Sequence, residues 1–201
     1  MELIFIRHFP TKGNRLKQYI GKTDESLDES MVSDMVHAAS KEWMRENSVE
    51  FVVASPMKRC LQTARLLFPD KEILICPEMR ECDFGSFEGK TYEELKDLPD
   101  YKRWLESGGM TAFPGGESRE AFVSRCVDGM ERIVDELFSR KCACAAFVVH
   151  GGTIMSVLSA FDEEKRGFYQ WQVDNGGGYQ AHVEERAWQQ GQKGFTEIRR
   201  L

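Results

Sequence analysis

Apolar positions along the chain fall into two alternating patterns. Short runs rich in Val, Ile and Phe occur at Glu2 to Ile6, Phe51 to Ala54, Ile73 to Cys76 and Ala145 to Val149. Their length and β-branched content predict strands buried on both faces. Between them, apolar residues recur at helical spacing: Val32, Met35, Ala39 and Trp43; Leu61, Ala64 and Phe68; Phe122, Cys126, Met130, Ile133 and Leu137. Strands alternating with helices predict a three-layer α/β/α fold with a mostly parallel central sheet, and 201 residues suit one domain, 1–201.

Local signals sharpen the boundaries. Ser55-Pro56 predicts an N-cap and a first-turn proline, so that a helix starts there with Arg59 in its first turn. Thr91-x-x-Glu94 has the form of a capping box. Gly151-Gly152-Thr153, between the strand ending at Val149 and the apolar stretch Ile154 to Phe161, predicts strand, glycine turn and helix. The region 82–117 has little strand character and carries the loops Ser107-Gly108-Gly109 and Pro114-Gly115-Gly116; it reads as a helical insertion or lid near a site. Phe168 to Leu201, with glycines at 176, 177 and 178, predicts a bent hairpin or edge strands.

Charge and composition change this picture mainly by exclusion. A net charge of −6 offers no basic face for nucleic acid or an anionic membrane. The apolar run between Glu2 and Arg7 is too short for a signal-peptide core or a membrane span, so a cytoplasmic location is expected. Cys60, Cys76, Cys82, Cys126, Cys142 and Cys144 form no C-x-x-C pair and no zinc spacing, and are expected to be reduced thiols. Nothing in the placement of carboxylates demands a metal, no cofactor is expected, and the oligomeric state stays open.

The candidate chemistry lies where strands end. Phosphoryl transfer needs a nucleophile in line with phosphorus, positive groups on the non-bridging oxygens and a proton donor for the leaving oxygen. Arg7 and His8 follow the first strand, Arg59 the second, Glu81 the third, and His150 ends a later one. Crevices at the carboxyl ends of strands in open α/β sheets bind ligands, so these dispersed residues can converge.

An ordered set of motifs carries a resemblance. Arg7-His8 with Thr11 and Asn14, Gly21-x-x-Asp24, Ser55-Pro56-x-x-Arg59-x-x-x-Thr63, Glu81-x-x-x-Gly85-x-x-x-Gly89, Pro114-Gly115-Gly116-Glu117-Ser118 and Val149-His150-Gly151-Gly152 resemble the successive motifs of the histidine phosphatase family, the phosphoglycerate-mutase-like superfamily. The resemblance implies that His8 is the nucleophile, that Arg7, Arg59 and His150 clamp the phosphate, and that Glu81 is the proton donor. It further implies phosphate contacts from Asn14 and the amide of Gly151. The family usually has glycine after the nucleophilic histidine; this chain has Phe9-Pro10, and Phe9 is expected to offer an apolar wall to the leaving group, as are Phe84 and Phe87.

The implied function is a metal-independent phosphomonoesterase acting through a phosphohistidine on His8, with a small-molecule phosphate monoester as partner and neither nucleic acid nor membrane. A phosphoglycerate mutase and a catalytically idle phospho-ligand sensor are the alternatives. The stretch from Arg7-His8-Phe9-Pro10-Thr11 to Tyr19-Ile20-Gly21-Lys22-Thr23-Asp24 is similar to α-ribazole phosphatases, which act late in cobalamin assembly. His37 and His182 are expected to be structural or solvated, and Asp162-Glu163-Glu164 a solvated face.

Overall fold

The computed structural model describes residues 1–39 and 48–201; Trp43 of the first helical pattern, and the side chains of Met35, His37 and Ala39, lie outside what is described. Among the described residues, six strands form one sheet: β1 (Glu2–Arg7), β2 (Phe51–Ala54), β3 (Ile73–Ile75), β4 (Cys144–Val149), β5 (Gly178–His182) and β6 (Thr196–Arg200), in the order β3-β2-β4-β1-β5-β6. The first four run parallel, β5 is antiparallel to β1, and β6 to β5.

Because successive strand residues face opposite sides, the all-apolar runs build two cores. Leu3, Phe5, Val53, Ala145, Phe147 and Val149 belong to one, covered by the helices Arg119–Ser139 and Gly151–Phe161. Ile4, Ile6, Val52, Ala54, Ala146 and Val148 belong to the other, covered by the helix Lys58–Leu67. Phe5 and Phe147, neighbours across β1 and β4, stack with centroids 5.2 Å apart. Each such fully buried side chain contributes about 1.5–3 kcal/mol relative to exposure. The result is the mostly parallel sheet between two helical layers that the hydrophobic pattern predicts.

Several details differ from the sequence expectation. The Lys58–Leu67 helix starts after Met57 rather than at Pro56: the Ser55 hydroxyl lies 2.7 Å from His150 Nε2 and takes only a long, 3.5 Å bond from the Met57 amide, with none from within the helix; Arg59 nevertheless sits in the first turn. Gly151 and Gly152 are the first residues of their helix, not a separate turn. The C-terminal segment does form antiparallel strands, but β5 is interior and the short helix Glu185–Gln189 separates it from β6. Asp162 is buried and held by Arg166, so the acidic run is solvated only from Glu163 onward. The capping box at Thr91 and Glu94 is present, opening the helix Tyr92–Leu95. All six cysteines are buried and free, and His182 pairs with Glu2 at 2.6 Å.

The topology also places a crevice. From the end of β1 the chain leads to the helix Glu29–Ala39, whose Val32 and Val36 pack on the second core, whereas from the adjacent β4 it leads to the helix Gly151–Phe161 on the first. Neighbouring parallel strands whose connections leave toward opposite layers open a gap at their carboxyl ends. Arg7, His8 and His150 stand there.

Candidate active site

His8 is buried, and its Nδ1 lies 2.6 Å from the carbonyl oxygen of Phe9. A carbonyl only accepts, so Nδ1 carries the proton and Nε2 holds a free lone pair. Burial pushes the His8 pKa well below 6.5, and the Arg59 and Arg7 guanidiniums push the same way, against the Phe9 hydrogen bond. The ring is therefore neutral at pH 7. The Phe9 amide donates to Thr63 Oγ1 at 2.9 Å, and Asn175 Nδ2 donates to the His8 carbonyl at 2.9 Å, fixing the backbone on both sides of the ring.

Three cationic or dipolar groups surround it. Arg59 is fully buried and donates to the carbonyls of Thr23 and Gly21, both at 2.7 Å, and from Nε to His150 Nδ1 at 3.3 Å. His150 Nε2 lies 2.7 Å from Ser55 Oγ, and the rings of His8 and His150 meet edge-on at 5.2 Å. Burial, then Arg59, pushes the His150 pKa well below 6.5, so with both nitrogens engaged it orients the Arg59 fork. Arg7 donates from Nη1 to the Val173 carbonyl at 2.8 Å, while its Nε is buried with no partner among the described residues. An unpaired buried donor costs about 1–3 kcal/mol, which an arriving anion recovers.

Glu81 is buried at the start of the Gly151–Phe161 helix. Its Oε2 accepts from the Gly152 amide at 3.1 Å and its Oε1 from the Cys82 amide at 2.9 Å. Burial raises its pKa above 4.5, outweighing those two bonds and the nearby Arg59 and Arg7. Such a carboxyl, held at a helix start whose dipole favours an anion, is suited to exchanging a proton. A Cβ on Gly152 would stand 2.3 Å from Glu81 Oε1, so glycine is what lets the carboxyl approach the helix this closely.

The remaining expected residues divide. Asn14 lies beside the site: its Oδ1 takes bonds from the Thr11 amide and from Asn175, its NH2 group has no acceptor among the described residues, and it shares a surface cavity with Arg7. Gly151 lines a polar cavity of about 960 Å3 with Arg7 and Glu81. Phe9, however, does not reach the leaving-group side: it is fully buried in the core on the other face of the sheet, and Phe87 is buried in the first core. Phe84 does line a second, mainly apolar cavity of about 280 Å3 beside Glu81, with Tyr19, Trp104, Phe113, Met155 and Phe168. Asn175, Tyr19, Trp104 and Phe168 were not among the residues singled out for the site. Asn175 had a turn signal, in Asp174-Asn175-Gly176, while the aromatic residues have only apolar character. Among the described residues no cluster of three or more His, Cys, Asp or Glu side chains suits a metal ion, and no helix is long and apolar enough to cross a membrane.

Comparison with known proteins follows the same geometry. The family model described as histidine phosphatase superfamily (branch 1) matches residues 3–193. A bifunctional protein of Mycobacterium tuberculosis is 32% identical over 138 residues, 66% of this chain; the chain spans just 37% of the length of that relative. Phosphoserine phosphatase 1 of Hydrogenobacter thermophilus is 26% identical over 92% of this chain and 88% of its own. The adenosylcobalamin/alpha-ribazole phosphatase of Escherichia coli is 26% identical over 80% of this chain and 78% of its own. The crystal structure of the alpha-ribazole phosphatase from Shigella flexneri superposes with a TM-score of 0.82 at 22% identity, covering 100% of this chain and 96% of that one, a likeness of fold.

Proposed function

Because the chain belongs to the histidine phosphatase superfamily (branch 1), we propose that it is a phosphomonoesterase that hydrolyses a small-molecule phosphate ester through a phosphohistidine on His8. The observation that carries the reading is the commitment of His8 Nδ1 to the Phe9 carbonyl, which leaves Nε2 as a neutral nucleophile among Arg7, Arg59 and His150.

In this reading the phosphate enters between the guanidiniums of Arg7 and Arg59, the amide of Gly151 and the NH2 of Asn14. A planar fork of donors suits phosphate oxygens, and a helix start adds a dipole. His150 Nδ1 accepts from Arg59 Nε and so holds the guanidinium plane, while its Nε2, which then carries the ring proton and meets Ser55 Oγ, can turn that proton to a phosphate oxygen. Nε2 attacks phosphorus, the bond to the ester oxygen breaks, and Glu81 gives that oxygen its proton. The charge left on the imidazolium is met by the Phe9 carbonyl. Glu81, now a carboxylate, takes a proton from water; the water oxygen attacks phosphorus, the N–P electrons return to Nε2, and phosphate leaves. The cations of the clamp supply the positive field, so activity is expected to survive chelation of metals.

The aromatic cavity supports a planar, largely uncharged organic body in the substrate, with the segment 82–117 acting as its wall and lid. Its walls are Tyr19, Phe84, Trp104, Phe113 and Phe168, and the buried Trp104 Nε1 has no partner among the described residues and can donate to a ring nitrogen or hydroxyl of the ligand. α-Ribazole 5′-phosphate fits that description better than phosphoserine or 3-phosphoglycerate, whose small bodies cover little of the aromatic walls; Arg119, 3.9 Å over the Phe168 ring, is the cation at this cavity that a carboxylate would use. The test is kcat/KM for these three esters, with phosphate release and phosphoryl transfer measured separately. A highest value for the ribazole ester with quantitative phosphate release supports the reading. Preference for 3-phosphoglycerate with formation of its 2-phospho isomer makes the protein a mutase, and absence of turnover on every ester makes it a sensor.

A further inference from the structure

Arg125 lies in the Arg119–Ser139 helix and lines none of the cavities at the site, yet every N–H of its guanidinium is used. Nε donates to Glu117 Oε1 at 2.7 Å and Nη2 to Glu117 Oε2 at 2.7 Å, a two-bond fork. Nη1 donates to the carbonyls of Glu78 and Arg80 at 2.6 and 2.8 Å, and Nη2 also to the carbonyl of Glu81 at 3.0 Å. Five donors meet five acceptors, which is the full capacity of the group. Three of those acceptors are backbone oxygens of the segment that ends in Glu81.

Glu117 extends the same fastening. Its amide donates to the Asp83 carbonyl at 2.9 Å, and its carboxylate accepts from the Asp83 amide at 3.4 Å, while Ser86 N donates to the Pro114 carbonyl at 2.9 Å. The two chains touch backbone to backbone: a Cβ on Gly116 would stand 2.4 Å from the Asp83 oxygen, and one on Gly85 2.3 Å from the Pro114 oxygen. Pro114-Gly115-Gly116-Glu117 thus docks on residues 83–86, and Arg125 ties both to the long helix. The guanidinium also lies 4.8 Å from the ring of Phe122, which in turn reaches within 3.0 Å of where a Gly152 Cβ would stand.

We infer that Arg125, braced by Glu117, is the positioning residue for Glu81: it fixes the backbone from which the carboxyl reaches the leaving oxygen. The inference rests on the proton-donor reading of Glu81. Arg125→Lys keeps the charge and loses the fork, and Glu117→Gln keeps the shape and loses the charge-assisted bonds, so the pair covers a variant that folds poorly. The readout is the burst-phase phosphorylation rate with an alkyl ester, β-glycerophosphate, against p-nitrophenyl phosphate, whose leaving group departs without a proton. Both variants should slow the alkyl ester by about 10- to 100-fold more than the aryl ester, as expected for a displacement of about 1 Å at a reacting group, with KM little changed. On a Glu81→Gln background the additional loss should vanish. Equal slowing of the two esters, or an undiminished loss on the Glu81→Gln background, overturns the inference. If Glu81→Gln alone treats the two esters alike, the proton-donor reading itself fails, a separate result read from a separate variant.

Discussion

Gly152→Ala isolates the contact between the acid and the helix start. The new methyl would stand 2.3 Å from Glu81 Oε1 and 3.0 Å from Phe122 Cε1, whereas carbon and oxygen in van der Waals contact are more than 3 Å apart. The Glu81 carboxyl must therefore withdraw by about 1 Å, and a shift of that size at a reacting group costs about 100-fold in rate. The fold should bear the change, because alanine in place of glycine in a helix gains up to about 1 kcal/mol, which offsets part of the local crowding. The assay is single-turnover phosphorylation by β-glycerophosphate, run beside urea unfolding of the same protein. Loss of about two orders of magnitude in rate with stability changed by less than about 2 kcal/mol is expected. A variant with full activity would show that the close seating of Glu81 on the Gly152 amide has no part in turnover.

Two further expectations concern titration. His8 must be neutral and Glu81 protonated for the first step; burial and Arg59 lower the His8 pKa below 6.5 and burial raises that of Glu81 above 4.5, so the phosphorylation rate with an alkyl ester should fall on the acid side through the first and on the alkaline side through the second. Glu81→Gln should abolish the alkaline limb; its persistence in a pH–rate profile would assign that limb to another group. Asp162, buried and bonded twice by the Arg166 side chain, has its pKa held at about 2, against 3.8 ordinarily. A lowered carboxyl pKa stabilises the fold above the unfolded value and loses that contribution as pH falls, so Asp162→Asn should cost about 2 kcal/mol at pH 7, with the difference shrinking between about pH 4 and pH 2. A pH-independent difference in urea unfolding would contradict this.

What could be read from the chain divides along physical lines. β1, β2 and β4 were legible because continuous apolar runs have few alternatives to a covered sheet, and the long helix from Arg119 because Phe122, Cys126, Met130, Ile133 and Leu137 repeat over several turns; all five are buried. The gathering of Arg7, His8, Arg59, Glu81 and His150 was legible because each follows or ends a strand whose carboxyl end faces one crevice. Side-chain direction was not. Ser55 looked like a cap, and only the fold brings His150 within 2.7 Å of its hydroxyl. Phe9 follows His8 in sequence, yet its ring packs on the opposite core while its carbonyl meets His8 Nδ1. Asp162 looked solvated because the arginine that buries it stands four residues on, and a charge pattern does not say which of three adjacent acids turns inward. Arg125 shows the same limit: its five acceptors come from two stretches of chain, residues 78–81 and Glu117, that the sequence does not tie to its helix.

Transfer of the phosphoryl group to His8 Nε2 is decided by trapping the intermediate. The protein is mixed with a 32P-labelled phosphate ester, quenched within milliseconds into alkaline denaturant, and the label mapped on the digested chain. A base-stable, acid-labile adduct is expected on His8, approaching one per molecule and absent from a folded but inactive His8→Ala variant. Label on a serine or cysteine, or turnover by His8→Ala at the wild-type rate, would contradict it.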